Sequence, residues 1–373
     1  MTPSTVRRLD DPELERRLAA DFAVEDGWTY LQSAGTGLPV PGAAVAAGTY
    51  YREVARRGCD AWPSWRGVET SVRDRLGRLL GVAREEIGFF RSTSEIVNLV
   101  AASVPWRGGE EILGFADEYP CNVLPWQRQA AAGARLVQLD VADPAEREDR
   151  LVEAITERTS IVSISHVHPW TGVRLDLQRI GRACREVDAL LVVDGIQALG
   201  AVPVDLTDVD VYGAGVFKWL LSGFGTAVGV VGERARSRLN PVFRSYRNPP
   251  PSDRLDYTAA NLPGLYVLDA SLAYLEELGW DVVHGRVELL TAAAFEDLAD
   301  LGISPLTPLD RRAGIVSLEV PNSAAVAAAM QARQISVSDK EGRTLISPHC
   351  YNTRDEIRRF AVQFAEVLDE LGR

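Results

Sequence analysis

Lysine is the rarest charged residue in this chain, and its two positions are the first place to look for chemistry. Of the 40 Lys and Arg residues, only Lys218 and Lys340 are lysines. Lys218 lies in the apolar run VYGAGVFKWLL, after a predicted strand and before a glycine-bearing turn. Burial of an ammonium group costs free energy unless its pKa falls. Lys218 is therefore either a neutral amine nucleophile suited to Schiff-base formation, or a lysine that extends to solvent from a strand end.

Other polar residues follow buried runs in the same manner. Asp194 ends the run ALLVVD, and His166 follows SIVSIS. Ligands of parallel α/β sheets bind at the carboxyl ends of the strands. Thr93 and Ser94 open a predicted helix after IGFFRS, where hydroxyl and backbone N–H groups can bind an anion. Each residue also has a structural alternative: a turn aspartate, a core histidine and an ordinary helix cap.

Taken in chain order, these residues form a recognisable set. The order is a phosphate-binding turn, an aromatic residue, a histidine, an aspartate with Gln197 three residues later, and a lysine. Pyridoxal phosphate (PLP) needs a Schiff-base lysine and a carboxylate partner for its pyridinium nitrogen. It also needs an anion site for its phosphate and an aromatic face for its ring. The sequence therefore predicts a PLP site.

From about residue 30 to the C-terminus the chain resembles the class V aminotransferase group of fold-type I PLP enzymes. The resemblance is nearest to the branch of isopenicillin-N-epimerase-like and cysteine-desulfurase-like proteins. It rests on the motifs YLQSAGTG, FFRSTSEIVNLVA, DEYPCNVLPW, SISHVHPWTGV, VVDGIQALG, FKWLLSGFGT and ISPHCYNTRDEI.

The resemblance implies a role for each matching residue. Lys218 would hold the cofactor as a Schiff base and act in catalysis, with His166 under or beside the ring. The remaining cofactor contacts would be Thr93 and Ser94 at the phosphate, Tyr119 stacked on the ring, Asp194 at the pyridine nitrogen and Gln197 at the ring hydroxyl.

The substrate and the partner subunit would contact further residues. The family forms homodimers with the active site at the interface, so we expect a homodimer. The substrate-binding candidates are Ser33, Ala34, Gly35, His168 and Arg343. The residues expected to reach the partner's cofactor are Ser245, Arg247 and Thr258.

Three departures from the family pattern bear on function. Relatives have an arginine at the position of Leu345, where it binds the substrate α-carboxylate. Two alternatives are open: Arg343, two residues earlier on the same strand face, replaces it, or the carboxylate is held elsewhere or lost in the reaction. Phe217 and Gly215 stand where many relatives have histidine and serine, which removes two phosphate contacts.

By resemblance the substrate is an amino acid, most specifically a cysteine S-conjugate of specialised metabolism such as the lincosamide pathways. The reaction would be C–S β-elimination or decarboxylation-coupled oxidative deamination. Epimerisation and transamination are the alternatives within the enzyme class, and a PLP-binding regulator is the alternative outside it. The segment ISVSDKEGRTLIS is too short for the cysteine-bearing loop of cysteine desulfurases, and Cys350 has a structural position. We therefore expect that the protein is not a persulfide-forming cysteine desulfurase.

The elements that must position these residues follow from the hydrophobic pattern. Strand candidates alternate with helical patterns up to about residue 235, which predicts an α/β fold with a mostly parallel sheet. A smaller α+β C-terminal domain follows. The predicted organisation is a helical segment (1–22), a large PLP-binding domain (23–246), and a linker, long helix and small domain (247–373).

Composition excludes several other classes. A net charge of −12 argues against a nucleic-acid partner. No stretch approaches the ~20 apolar residues of a membrane span. Four scattered cysteines without a CxxC pair predict neither a zinc site nor disulfides, so we assign no metal and expect a cytoplasmic protein.

Overall fold

The computed structural model of the chain describes Leu9 and residues 11–25, 27–340 and 342–372. The strands are β1 (Thr29–Tyr30), β2 (Ile87–Phe90), β3 (Glu111–Phe115), β4 (Arg135–Leu139), β5 (Thr159–Ser165), β6 (Leu190–Asp194), β7 (Val211–Gly215), β8 (Ala227–Val231), β9 (Val316–Glu319), β10 (Ile335–Ser336), β11 (Ser338–Asp339) and β12 (Arg343–Ile346). The α-helices are α1 (Pro12–Asp21), α2 (Ala43–Arg57), α3 (Trp62–Leu80), α4 (Thr93–Ser103), α5 (Leu124–Ala131), α6 (Arg147–Ala154), α7 (Leu177–Glu186), α8 (Glu233–Arg236), α9 (Leu262–Leu278), α10 (Trp280–Ala299), α11 (Ser323–Ala332) and α12 (Arg354–Glu370).

The central sheet has the strand order β2-β8-β7-β6-β5-β3-β4. Strands β4, β3, β5, β6 and β7 are parallel, and β8 runs antiparallel to both of its neighbours, β7 and β2. Strands such as β2 and β6 are buried along their whole length, as expected where both faces of a sheet are covered. The predicted fold-type I architecture with a mostly parallel sheet is confirmed.

This topology brings several chain segments to one edge of the sheet. Because β2 is antiparallel to β8, it runs in the same direction as β5, β6 and β7. The carboxyl ends of these four strands therefore lie at the same edge. Helix α4 begins three residues after β2, so its N-terminus also lies at that edge.

A smaller antiparallel sheet, β11-β12-β9, packs with α10, α11 and α12 around a second apolar core. Two contacts cross the predicted domain boundaries. Strand β1 pairs in parallel with β10, so a segment assigned to the large domain contacts the small one. Helix α9 contributes its apolar face to the core of the large sheet. Most of the first ten residues of the predicted helical segment lie outside the described residues.

Among the residues that the structure describes, no helix combines the length and apolar character needed to cross a membrane.

Candidate active site

A cavity of about 420 Å³ opens at the edge of the sheet where β5, β6 and β7 end. The six residues predicted to bind the cofactor all line it: Thr93, Ser94, Tyr119, Asp194, Gln197 and Lys218. They come from four separate stretches of the chain. The strand directions described above are what bring them together.

Lys218 follows β7 and lies half-buried in the cavity wall. Burial lowers the pKa of its amine to about 8, although the nearby negative charge of Asp194 opposes this change. The loop that carries it is packed closely against Gly37, whose N–H donates to the Phe217 carbonyl at 2.9 Å. A Cβ at Gly37 would lie 2.1 Å from the Lys218 carbonyl oxygen, so the glycine permits this approach.

Asp194 is the last residue of β6 and is only 3% exposed. Its carboxylate accepts hydrogen bonds from the Ile196 N–H at 2.9 Å and from the Cys121 thiol and the Asn122 amide, each at 3.4 Å. Burial, together with the negative charge of Glu118, raises the pKa of Asp194 to about 6. No described Lys, Arg or His nitrogen lies within ion-pair distance of it. The site therefore holds a buried carboxylate that a cationic ring nitrogen would stabilise.

The N-terminus of α4 provides an anion site on another wall of the cavity. Ser92 caps the helix by accepting a hydrogen bond from the Glu95 N–H at 3.1 Å. The Thr93 hydroxyl accepts from the Gly215 N–H at 3.0 Å, which fixes the helix against β7. The N–H groups of the first turn have no intrahelical acceptor and carry the positive end of the helix dipole. They can bind a phosphate group.

Aromatic and amide groups complete the cavity. Tyr119 is 46% exposed, and its ring centroid lies 5.7 Å from that of Trp170. The Gln197 side chain accepts a hydrogen bond from the Trp219 indole N–H at 3.0 Å and donates to the Ala34 carbonyl at 3.1 Å. These two bonds fix the orientation of the Gln197 amide and leave one of its N–H groups unassigned.

Two predicted histidines do not line the cavity. His166 follows β5, and its backbone N–H donates to the Asp194 carbonyl at 2.9 Å. Because side chains alternate across a strand, Ser165 faces the cavity and the His166 ring lies on the other side, 6.2 Å from the Tyr212 ring. Burial lowers the pKa of His166 to about 3. His168 instead contacts Arg147 at 3.1 Å and Thr171 at 2.9 Å. The expectation of His166 beside the cofactor ring is not met.

The substrate candidates are divided in the same way. Ala34 and Gly35 line the cavity, whereas the Ser33 hydroxyl is buried and hydrogen-bonds the Tyr351 hydroxyl at 2.8 Å. Leu345 lines the cavity but Arg343 does not. Two residues along a strand amount to about 7 Å, which carries the Arg343 side chain away from the cavity.

The three residues predicted to serve the partner subunit do not line the cavity of their own chain. The Arg247 guanidinium binds the Glu69 carboxylate at 2.8 Å. The Thr258 hydroxyl lies 3.4 Å from the Tyr246 hydroxyl, and the Ser245 N–H donates to the Asn248 side chain at 2.9 Å. Their contact with a second subunit remains a prediction.

The sequence reading missed several residues that line the cavity: Gln32, Cys121, Ser165, Trp170, Phe224, Ser338 and Lys340. Strand register accounts for Ser165, which pairs with Asp194 and so faces the same way. Cys121 follows Tyr119 by two residues in the motif DEYPCNVLPW. Lys340 had a signal of its own, as one of only two lysines.

The comparisons with known proteins agree with this geometry. A family model described as "Aminotransferase class-V" matches residues 29–360. The chain belongs to the class-V aminotransferase family. The chain is 26% identical to a probable cysteine desulfurase of Pyrococcus abyssi, over 77% of this chain and 80% of the relative. It is 31% identical to an isopenicillin N epimerase of Amycolatopsis lactamdurans, over 81% of this chain and 85% of the relative.

Pyridoxal 5′-phosphate is the cofactor of this protein. A solved structure of C-DES, with glycine covalently linked to its PLP cofactor, superposes with a TM-score of 0.86 at 20% identity, covering 93% of this chain and 99% of the other. The residues present fit the group. The buried Asp194 carboxylate lacks a cationic partner among the described residues, and the first-turn N–H groups of α4 have no intrahelical acceptor, with Glu95 alone capped by the Ser92 side chain in the described contacts.

One expectation from the sequence is wrong. The exclusion of cysteine desulfurases conflicts with relatives of that name, such as the Pyrococcus abyssi protein. The exclusion depended on the absence of a cysteine from one loop. The fold, however, brings the Cys121 thiol into the same cavity as Lys218 from a different segment.

Proposed function

We propose that this PLP enzyme breaks the C–S bond of a cysteine-type amino acid, with a cysteine S-conjugate as the substrate class. The proposal rests on the groups that line the cavity around Lys218. An amine with a lowered pKa, a buried carboxylate and an anion site meet there beside an aromatic wall. In that wall the Phe217 and Phe224 rings stack at 4.0 Å. An apolar substituent on sulfur would pack against it.

The chain's own residues would divide the tasks of binding the cofactor and moving a proton. When bound, PLP supplies an electron-withdrawing ring that stabilises negative charge at Cα. Asp194 would hold the positive charge on the ring nitrogen, and the N-terminus of α4 would bind the phosphate. Lys218 would anchor the cofactor and, once displaced by the substrate amine, would accept the Cα proton. Its pKa of about 8 leaves part of the amine neutral near neutral pH.

The products of β-elimination follow from the bonds broken. The Cα proton goes to Lys218 and the sulfur leaves Cβ as a thiolate with the bonding pair. Addition of one water to the remaining three-carbon unit gives pyruvate and ammonia. Leu345 favours a second candidate, decarboxylation-coupled oxidative deamination, in which dissolved O₂ would accept the two electrons and leave as hydrogen peroxide. With no arginine at that position, the Cα–carboxylate bond is less constrained.

Product analysis tests the proposal. The holoenzyme is incubated with S-methyl-L-cysteine and S-benzyl-L-cysteine, and a Lys218→Ala variant serves as the control. We expect equal amounts of pyruvate and thiol from the wild type and none from the variant. Carbon dioxide with an aldehyde would favour the second candidate, and alanine with a persulfide from cysteine would indicate desulfurase chemistry. Epimerisation or keto-acid formation without C–S cleavage would contradict the proposal.

We also infer a homodimer. Two phosphate contacts of the family are replaced by Phe217 and Gly215, so a second subunit is needed to complete the anion site. Phe243 and Tyr246 are exposed on the segment expected to reach that subunit. Sedimentation of a fully active monomer would contradict this inference.

A further inference from the structure

The cavity contains a second cationic side chain besides Lys218. Of the described residues that line it, the charged ones are Asp194, Lys218 and Lys340. Asp194 and Lys218 are committed to the cofactor, and Leu345 cannot bind an anion. We propose that Lys340 binds the α-carboxylate of the amino-acid substrate. The inference rests on the proposed function, because it requires an amino acid in this cavity.

The backbone around Lys340 directs its side chain into the cavity. Lys340 follows β11, and its N–H and C=O bond the C=O and N–H of Arg343 at 2.9 and 3.0 Å across the turn to β12. Ser338, two residues earlier, also lines the cavity, whereas the intervening Asp339 accepts a hydrogen bond from the Ser323 hydroxyl. This alternation is that of an extended chain, with residues 338 and 340 on one face.

Among the described residues, nothing neutralises the charge of Lys340 in place of a ligand. Its ammonium forms no ion pair within 4 Å with any residue in the described ranges, although this chain pairs many of its arginines. The charge of Lys340 also acts on the Lys218 amine. Burial is the main cause of the lowered pKa of Lys218, and the positive charge of Lys340 lowers it further. A substrate carboxylate between the two would neutralise this repulsion.

Neighbouring groups add hydrogen-bond donors to the same wall. The Ser338 hydroxyl donates to the Gln32 side-chain oxygen at 3.3 Å. This bond leaves the Gln32 amide N–H₂ as the group that can donate to a ligand, and Gln32 lines the cavity. A lysine is a compact charge on a flexible stem, unlike the rigid two-donor fork of arginine. Lys340 would therefore hold a carboxylate by charge, with Gln32 supplying direction.

The chain offers a matched control for this charge. Arg343 lies three residues away on the same β11–β12 hairpin, but it does not line the cavity. Replacing Arg343 removes the same charge from the same hairpin. The Lys340→Arg variant keeps a cation at the site and serves as the conservative replacement.

The experiment measures binding rather than turnover. L-alanine and ethylamine are titrated into the holoenzyme, and dissociation constants are taken from the absorbance of the bound cofactor. L-alanine has no leaving group at Cβ, and ethylamine is the same molecule without its carboxylate. For Lys340→Gln we expect a rise of about 10- to 100-fold in the dissociation constant of alanine, typical of losing a hydrogen bond to a charged group. We expect less than a threefold change for ethylamine.

The variants provide the decisive comparisons. Lys340→Arg should bind alanine within about tenfold of the wild type, and Arg343→Gln should bind it normally. In the Lys340→Gln apoprotein, the pH profile of the cofactor-uptake rate should shift to higher pH than in the wild type, because Lys340 no longer lowers the pKa of Lys218. Unchanged alanine binding in Lys340→Gln, an equal loss for ethylamine, or an equal loss in Arg343→Gln would each overturn the proposal. If the wild-type holoenzyme responds to ethylamine but to no amino acid, the proposed function itself fails.

Discussion

The buried Asp194 carboxylate should lower the stability of the apoprotein. In the holoenzyme the same carboxylate should balance the positive charge of the cofactor's ring nitrogen. The pKa of Asp194 is raised to about 6, against an ordinary value near 3.8. Each tenfold change in an acid constant corresponds to about 1.4 kcal/mol, so above pH 6 ionised Asp194 lowers the free energy of unfolding of the apoprotein by on the order of 3 kcal/mol. The sign follows from the folded state binding its proton more tightly than the unfolded chain. The cost develops as pH rises from about 4 to above 6.

Asp194→Asn removes this charge with little change in shape. The asparagine oxygen can still accept from the Ile196 N–H, but its amide would face the donors of Cys121 and Asn122. Loss of those contacts offsets about 1 kcal/mol. We therefore expect the Asp194→Asn apoprotein to be about 1–2 kcal/mol more stable than the wild type at pH 7.5. This advantage should disappear near pH 4, where the wild-type carboxyl is protonated.

Urea unfolding of apoprotein and holoenzyme measures both effects. PLP should raise the unfolding midpoint of the wild type much more than that of Asp194→Asn, since the variant cannot balance the ring's charge. Asp210→Asn is the control, because Asp210 is equally buried but is paired with Arg234 at 2.7 Å. Breaking that pair should destabilise both forms. A less stable Asp194→Asn apoprotein at pH 7.5 would refute our reasoning.

Two further predictions concern titration. The rate at which the apoprotein takes up PLP should rise with pH, reach half of its maximum near pH 8, where half of the Lys218 amine is neutral, and level off about one pH unit higher; a rise that continues unchanged to pH 10 would contradict this. Burial alone would raise the pKa of Glu69, but the guanidinium groups of Arg247 and Arg73 lower it to about 2. Its contribution to stability, on the order of 3 kcal/mol, should be complete above pH 5 and be lost as pH falls toward 2. In acid unfolding, the difference between wild type and Glu69→Gln should shrink over this range, and a pH-independent difference would count against the pair.

The fold and the cofactor were predictable because they depend on local patterns. Continuous apolar runs indicate buried parallel strands, and the chemistry of PLP requires a lysine, a carboxylate and an anion site that each follow a strand. Such signals made Lys218 and Asp194 candidates, and their roles followed from the whole set of residues together with the family resemblance. The antiparallel direction of β8 and the pairing of β1 with β10 depend on long-range contacts that a linear pattern does not contain.

Side-chain direction was the main source of error. His166 and Ser165 are adjacent in the sequence, and only the register of β5 against β6 decides which one faces the cavity. Lys340 and Arg343 are both cations near the position of the family's arginine. Their backbones bond each other across the hairpin, yet only Lys340 lines the cavity. Cys121 shows the same limitation, since its proximity to Asp194 joins two segments 73 residues apart.

The most direct test of our central claim is to locate the covalent attachment of the cofactor. The purified holoenzyme is reduced with borohydride and digested, and the peptide bearing the phosphopyridoxyl group is sequenced by mass spectrometry. With only two lysines in the chain, the result is unambiguous. We expect the modification on Lys218 and its loss in Lys218→Ala, while Lys340→Gln keeps it. A modification on Lys340, or none in a protein that binds PLP, would contradict the assignment of this cavity.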